Sequence, residues 1–406
     1  MSTEFFTEKQ KDLVRVFKRG ELKRINVLEG SVRSGKTWIS LVIWACWVAT
    51  MPEDGGYLMV GKTITALRRN CLDVLQQLVG VRNFTYSLGR KEALLFGRIV
   101  YLEGVNDARA EGKIRGLTLT GAYCDELTLF TEDFFTMLLS RLSMPGAKLI
   151  GTTNPDAPTH WLKANWINRA GESAEPGSKP IDLFSMRFVI DDNTTLSPEY
   201  IEEIKKEYTG VFYDRFILGM WTRAEGLVYP NFNAEKHVVS EIPDAGLYYI
   251  SIDYGTLNPC SMGLWCVSDG VATRISEYYY NGRKMRQQKT DEEYYTALEQ
   301  LAGDHVIQDI VVDPSAASFI ETIRRHGRFR VTKAKNDVLD GIRITGTLLN
   351  AGRIKIHESC SGILGEFTAY SWDDKKPEDT VIKENDHAMD DMRYFCMTVL
   401  REYFRW

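Results

Sequence analysis

Gly30-Ser31-Val32-Arg33-Ser34-Gly35-Lys36-Thr37 fits the pattern GxxxxGK[ST], and the chemistry such a run performs is phosphate binding. Glycines let backbone N–H groups come close to an anion, and a helix that follows offers the positive end of its dipole. Lys36 then reaches the β/γ oxygens of a nucleotide and Thr37 holds Mg²⁺. The pattern is short, but here it lies between INVLEG (25–30), which reads as a buried strand, and TWISLVIWACWVATM (37–51), which reads as a buried helix. That is the context the chemistry requires. Downstream, Asp125-Glu126 closes the apolar run LTGAYC. An acidic pair leaving the carboxyl end of a sheet strand suits a second Mg²⁺-organising group, Asp125 acting through water, and a base that orients the attacking water, Glu126. Asn154, in LIGTTNP, can sense a γ-phosphate or form an ordinary Asn-Pro turn. Arg33 can reach a γ-phosphate as an arginine finger in cis or stand in solvent, and the residues leave both open.

The second half carries a different set of acids. Asp253 lies in the strand-like SIDYG, Asp313 follows the buried run IVV, and Asp386-His387-Ala388-Met389-Asp390-Asp391 opens the last helix. One carboxylate in the first strand of a hairpin sheet, one after its fourth strand and one in a late helix is the layout of an RNase H-like nuclease. There, facing carboxylates hold two divalent ions ~3.5–4 Å apart on a phosphodiester. Helical spacing leaves Asp386, Asp390 and Asp391 all possible as the third ligand. His387 neighbours either of the last two, as a ligand, a supporting group or a cap. Two basic stretches, GRKMRQQK (282–289) and IRRHGRFRVTKAK (323–335), could track a DNA backbone from beside this site.

The elements that must position these residues are legible in outline. Short apolar strands (25–30, 56–61, RIVYLEG, LTGAYCDE, AKLIGTTNP) alternate with helices such as ITALRRNCLDVLQQLV (64–79), which predicts a largely parallel α/β sheet. GESAEPGSKP (171–180) reads as an exposed loop, and Ser197-Pro198 as a helix start. YYISIDYG, MGLWCVSDG and ATRISEYYY read as antiparallel strands, followed by more α/β material. The expected organisation is a nucleotide-binding domain over 1–218, with a small helical linker subdomain from about 165. An interdomain linker over 219–243 and a nuclease domain over 244–406 follow.

Composition limits the alternatives. At 406 residues, two substantial domains is the prior, and 44% hydrophobic with 26% charged residues excludes a disordered chain. Fifty Lys and Arg against fifty-five Asp and Glu give a net charge of −5, so any nucleic-acid surface has to be local. Seven scattered cysteines without a CxxC pair argue against a disulfide framework or a zinc ribbon. The start lacks a signal peptide, and the run Trp38 to Met51 is shorter than the ~20 residues a bilayer requires, so an intracellular protein without membrane association is expected.

Taken together, the chain resembles the large terminase subunit of tailed double-stranded-DNA bacteriophages, over nearly its whole length. GSVRSGKT resembles that family's Arg-containing phosphate loop, AYCDE its acidic strand, GTTNP its coupling motif and ILGMWTRAEGLVYPNF its interdomain connection. SIDYG, VVDPSA and DHAMDDMRY resemble its nuclease motifs, with HAxD falling on His387 and Asp390, which implies that Asp391→Ala keeps most cleavage. Tyr123 and Cys124 are less aliphatic than usual before the acidic pair. The resemblance implies a P-loop NTPase domain of the ASCE type with a mostly parallel sheet, then an RNase H-like α/β nuclease domain. It implies an ATP site formed by Gln10 (on adenine), Gly30, Ser31, Arg33, Ser34, Gly35, Lys36, Thr37, Asp125 and Asn154. Thr37 and Asp125 would hold the Mg²⁺ of ATP; Asp253, Asp313 and Asp390, with His387 at the edge, would hold Mg²⁺ or Mn²⁺ for cleavage. The catalytic groups would be Glu126, Arg33, Asp253, Asp313 and Asp390. The implied function is ATP-driven translocation of double-stranded DNA into a procapsid through a portal, with cutting of concatemeric DNA. A small terminase subunit, a pentameric assembly on the portal and action in the host cytoplasm are implied as well. The alternative reading is a host helicase-nuclease or repair ATPase.

Overall fold

The computed structural model describes residues 6–51, 55–105, 110–171, 179–376 and 378–403. The loop expected over 171–180 lies, from 172 to 178, outside the described residues. The chain divides into two compact units, 1–202 with 213–223, and 203–212 with 224–406. Ser197 caps the helix Pro198–Glu207 by accepting from Tyr200 N at 3.2 Å, and the division between the units falls inside that helix.

The first unit is built on one sheet. Its strands are β1 (Ile25–Gly30), β2 (Gly56–Gly61), β3 (Phe84–Ser87), β4 (Glu92–Leu95), β5 (Arg98–Gly104), β6 (Leu119–Cys124), β7 (Lys148–Thr153) and β8 (Leu183–Phe188). They lie in the order β3-β4-β5-β2-β6-β7-β1-β8. From β5 to β8 every pairing is parallel; β3 and β4 add an antiparallel edge. Strands β1 and β6 are buried at every residue, which is why they read as apolar runs and not as alternating ones. The helix Lys36–Thr50 is buried almost all round, its Trp44 and Trp47 meeting Tyr57 with ring centroids 6.0 and 6.2 Å apart. Two features escape the sequence pattern. The hairpin β3–β4 and strand β8 have half-exposed, mixed residues. The helical run 64–79 contains a π-type turn at Arg68–Leu72, invisible to a search at 3.6 residues per turn.

The second unit holds a mixed sheet of β9 (Val238–Val239), β10 (Leu247–Asp253), β11 (Cys260–Ser268), β12 (Val271–Tyr280), β13 (Ile307–Val312), β14 (Val331–Lys333) and β15 (Ile354–His357). The order is β14-β13-β10-β11-β12-β15-β9. The expected antiparallel trio is β10–β11–β12, and its second turn is the two-residue Asp269-Gly270 with φ of 50° and 73°, the left-handed pair such a tight hairpin needs. β13 lies parallel to β10, so Asp313 emerges next to the end of β10 and its N–H donates to Ile252 O at 3.1 Å. The helix His387–Phe395 packs on β10 and β11, burying Met389, Met392 and Phe395.

Candidate active sites

In the first unit, β7 lies between β1 and β6, so the carboxyl ends of the three strands stand side by side. The phosphate loop, Asn154 and the acidic pair therefore become neighbours. Lys36 is buried, and its Nζ donates to Ser31 O at 2.8 Å and to Asn154 Oδ1 at 2.7 Å. Burial draws its ammonium down to about 8, against the pull of the Glu126 and Asp125 carboxylates. Asp125 is buried too, which raises its carboxyl. Its Oδ2 accepts from Asn70 Nδ2 at 3.0 Å and its Oδ1 from Thr152 Oγ1 at 3.1 Å. Glu126 holds a left-handed backbone, φ 59°, uncommon for a residue with a side chain. Burial, then the Asp125 charge, raises its carboxyl as well.

The loop itself is braced. A Cβ on Gly30, at φ 134°, would stand 1.8 Å from Phe188 O, so only glycine fits. Ser31 N donates to Phe188 O and Val32 N to Phe216 O, both at 2.9 Å, while Asn193 Nδ2 donates to Arg33 O at 2.7 Å. Ser34 Oγ donates to Ser31 O at 2.9 Å; Gly35 ends the loop at φ 83°, and Thr37 is half-buried in the first turn of the helix. Arg33 is exposed, with φ 56°. Gln10 stands against the loop, its Nε2 2.8 Å from where a Cβ on Gly35 would sit. Its Oε1 is engaged, accepting from Thr7 N at 3.1 Å in a capping box. Asn70, Thr152 as a partner of Asp125, Asn193 and Phe216 were not singled out from sequence. Asn70 depends on the π-type turn, and the other contacts join residues distant in the chain.

In the second unit, Asp253 ends β10, and its Oδ2 meets His387 Nδ1 at 2.8 Å. Burial above all pushes Asp253 up to about 6; the His387 bond opposes this, and the Asp390 and Asp313 carboxylates add to it. The three expected acids thus lie within each other's electrostatic reach. Each is engaged, however. Asp313 folds back onto Ser315, accepting from its N–H at 3.0 Å and its hydroxyl at 2.6 Å. Asp390 Oδ1 accepts from Arg393 at 2.9 Å and its Oδ2 from Lys383 at 3.2 Å; Lys383 also pairs with Asp386 at 3.2 Å. Among the described residues, no three His, Cys, Asp or Glu side chains stand close enough to enclose an ion. The donors the set offers, carboxylate oxygens, are of the kind a hard divalent cation takes.

Asp391 is different. It is fully buried, accepting from Ser251 Oγ at 2.9 Å and Arg274 Nη1 at 2.5 Å and bonded to Ser261 as well. The choice that spacing left open among Asp386, Asp390 and Asp391 is thus narrowed by burial and partners: Asp391 faces the core. An open cleft of about 440 Å³ is lined by Asp253, His387, Arg283 and the loop 254–258. Of the two basic stretches, 323–335 is largely neutralised. Arg325 pairs with Glu321, His326 with Glu292, Arg328 with Glu299, Arg330 with Asp309 and Lys335 with Glu402. Arg283, Lys284 and Arg286 are exposed and have no acidic partner among the described residues.

The family model described as "Terminase large subunit, T4likevirus-type, N-terminal" matches residues 27–236, just over half of the chain. The chain belongs to the large terminase subunit family. A solved large terminase from a thermophilic bacteriophage is 37% identical, with 97% of this chain and 99% of that one covered and a TM-score of 0.89. The same phage protein in complex with ATP-γ-S matches at a TM-score of 0.85, again 37% identical over 97% of this chain and 99% of that one. The large terminase subunit of Escherichia phage T5 is 22% identical over 284 residues, 66% of this chain. This terminase chain spans 62% of the length of that curated relative. Family membership sets aside the host helicase-nuclease alternative, and the α/β fold expected for a terminase is the one observed. No helix among the described residues is long and apolar enough to cross a membrane.

Proposed function

We propose that this chain is the motor and nuclease subunit of a viral DNA-packaging machine. Its first unit hydrolyses ATP to drive double-stranded DNA through a portal into a procapsid, and its second unit cuts concatemeric DNA. The carrying observation is Lys36 Nζ, held between Ser31 O and Asn154 Oδ1 beside the buried Asp125-Glu126 pair. In this reading, Lys36 and the later amides of the loop bind the β/γ-phosphates, since the Ser31 and Val32 amides are already bonded. Thr37 and Asp125 hold Mg²⁺, Glu126 orients and deprotonates the attacking water, and Asn154 links the γ-phosphate to Lys36. Arg33 supplies a finger, and Gln10 offers its Nε2 to adenine. The complexes of the thermophilic phage protein with ADP and ATP-γ-S support a nucleotide ligand. If the chain couples hydrolysis to DNA, adding double-stranded DNA should raise its ATPase rate. An ATPase indifferent to DNA would remove the motor, and no ATPase at all would leave only a scaffold.

For cutting, Asp253, Asp313 and Asp390 would hold Mg²⁺ or Mn²⁺, with His387 orienting Asp253. The metal, when bound, would supply Lewis acidity that favours ionisation of a water and stabilises the charge developing on the phosphodiester oxygens. Arg283, Lys284 and Arg286 would hold DNA phosphates along the cleft. Replacing all three with Ala should lower the slope of log affinity against log salt by ~3, about one for each phosphate no longer held, whereas Arg328→Ala with Arg330→Ala should leave the slope nearly unchanged. The opposite pattern would return the DNA path to 323–335. The remaining partners proposed are a small terminase subunit, the portal and further copies of this chain in a pentamer, acting in the host cytoplasm.

A further inference from the structure

The helix that carries His387 and Asp390 starts without a cap of its own, since its N-cap residue Asp386 makes no side-chain bond to the first turn. Its leading amides are satisfied from another element. Glu366, buried in the helix Ser361–Phe367, accepts with Oε2 from Ala388 N at 2.7 Å and Met389 N at 3.0 Å, and with Oε1 from the Tyr279 hydroxyl at 2.6 Å. Glu366's own helix is held the same way. Glu277, on β12, accepts from Gly362 N at 2.5 Å and Ile363 N at 3.3 Å. Glu277 also pairs with Arg274 at 3.3 Å, and Arg274 pairs with Asp391 at 2.5 Å, back in the final helix.

The bonds therefore form a closed circuit: Asp391, Arg274, Glu277, the amides of 362–363, Glu366, and the amides of 388–389. Carboxylates at helix N-termini are favourable through both hydrogen bonds and the helix dipole. Buried ion pairs contribute little net stability, but breaking one is costly, so such a circuit tolerates few geometries. It fastens the final helix at its first turn and again at Asp391, on either side of Asp390. Both fastenings oppose sliding of this first turn along the helix axis and rotation about it.

We infer that Glu366 is a positioning residue for the proposed cleavage site: through the amides of Ala388 and Met389 it sets how Asp390 and His387 approach Asp253, and thereby the site's affinity for a divalent cation. This rests on the nuclease reading above. The test uses the full chain without nucleotide, counting free Mn²⁺ by electron paramagnetic resonance, with Asp253→Ala as the blank. Glu366→Ala should bind Mn²⁺ ~10–100-fold more weakly, the range for losing a group that orients metal ligands, and should need correspondingly more Mn²⁺ for half-maximal plasmid cleavage. Glu366→Gln, whose amide oxygen can still accept from both backbone amides, should recover most of that affinity. If Glu366→Ala fails to fold by near-ultraviolet circular dichroism, Glu366→Asp, whose shorter side chain withdraws the carboxylate from the Ala388 and Met389 amides, decides. Weakened Mn²⁺ binding supports the inference and wild-type affinity overturns it. A cap that serves stability alone would lower the melting temperature with Mn²⁺ affinity unchanged, which also overturns it. Absence of Mn²⁺ binding in the wild type, with Asp253→Ala still cutting, would instead overturn the nuclease reading and this inference with it.

Discussion

Asp391→Ala should lower the melting temperature of the second unit, whereas Asp390→Ala should lose DNA cleavage while still folded. The two neighbours differ by burial and partners. Asp391 is fully buried and is the strongest counter-charge of Arg274, itself fully buried. Removing Asp391 breaks a buried pair and leaves Arg274 with Glu277 as its remaining counter-charge, at a cost of up to about 3–5 kcal/mol. Asp390 is ion-paired with Arg393, which keeps the carbonyls of Asn336 at 2.9 Å and Asp337 at 3.2 Å as acceptors if the carboxylate is deleted. The family resemblance suggests that Asp391→Ala keeps most cleavage; the buried ion pair adds the expectation of lost stability, so nicking is to be compared below the melting temperature of the variant. Calorimetry with plasmid nicking separates the outcomes. A stable, fully folded Asp391→Ala, or an active Asp390→Ala, would contradict the assignment.

Glu126→Gln should bind nucleotide nearly as well as the wild type while hydrolysing it ~10²–10⁴-fold more slowly, the range for loss of a positioned general base. The amide keeps the size of the side chain and, with it, the left-handed backbone at φ 59° that aims it. It cannot take a proton from water. The buried Lys36 and the braced loop, which would carry the phosphate contacts, are untouched. Equilibrium binding of a fluorescent nucleotide and steady-state turnover measure the two halves of this expectation. Undiminished turnover would move the base elsewhere.

What was legible in the sequence follows from where the information lies. The strands β1, β6, β7 and β10 and the site residues at their ends could be read because buried parallel strands are plain apolar runs, and an acid or glycine that interrupts one stands out. Lys36, Asn154, Asp125 and Glu126 meet because the strand order brings their strand ends together, and that order was implied only by the family resemblance. Asn70, Asn193 and Glu366 were not legible. Each acts on a residue tens of positions or more away, and nothing about a lone Asn or Glu in a helix or turn announces such a partner. The pairing of the basic stretch 323–335 was not legible either, because sequence displays its cations together while the acids Glu292, Glu299, Asp309 and Glu402 arrive from other elements. The residues missed are mostly those that hold the chemistry in place.

ATP hydrolysis and metal-dependent plasmid cleavage, measured side by side on full-length Lys36→Ala and Asp253→Ala, bear most directly on two separate active sites in one chain. Lys36→Ala should lose hydrolysis and keep cleavage, because its only change is in the phosphate loop of the first unit. Asp253→Ala should lose cleavage and keep hydrolysis. If either variant, shown to be folded, loses both activities, or if neither loses the one assigned to it, the chain does not carry two separate sites.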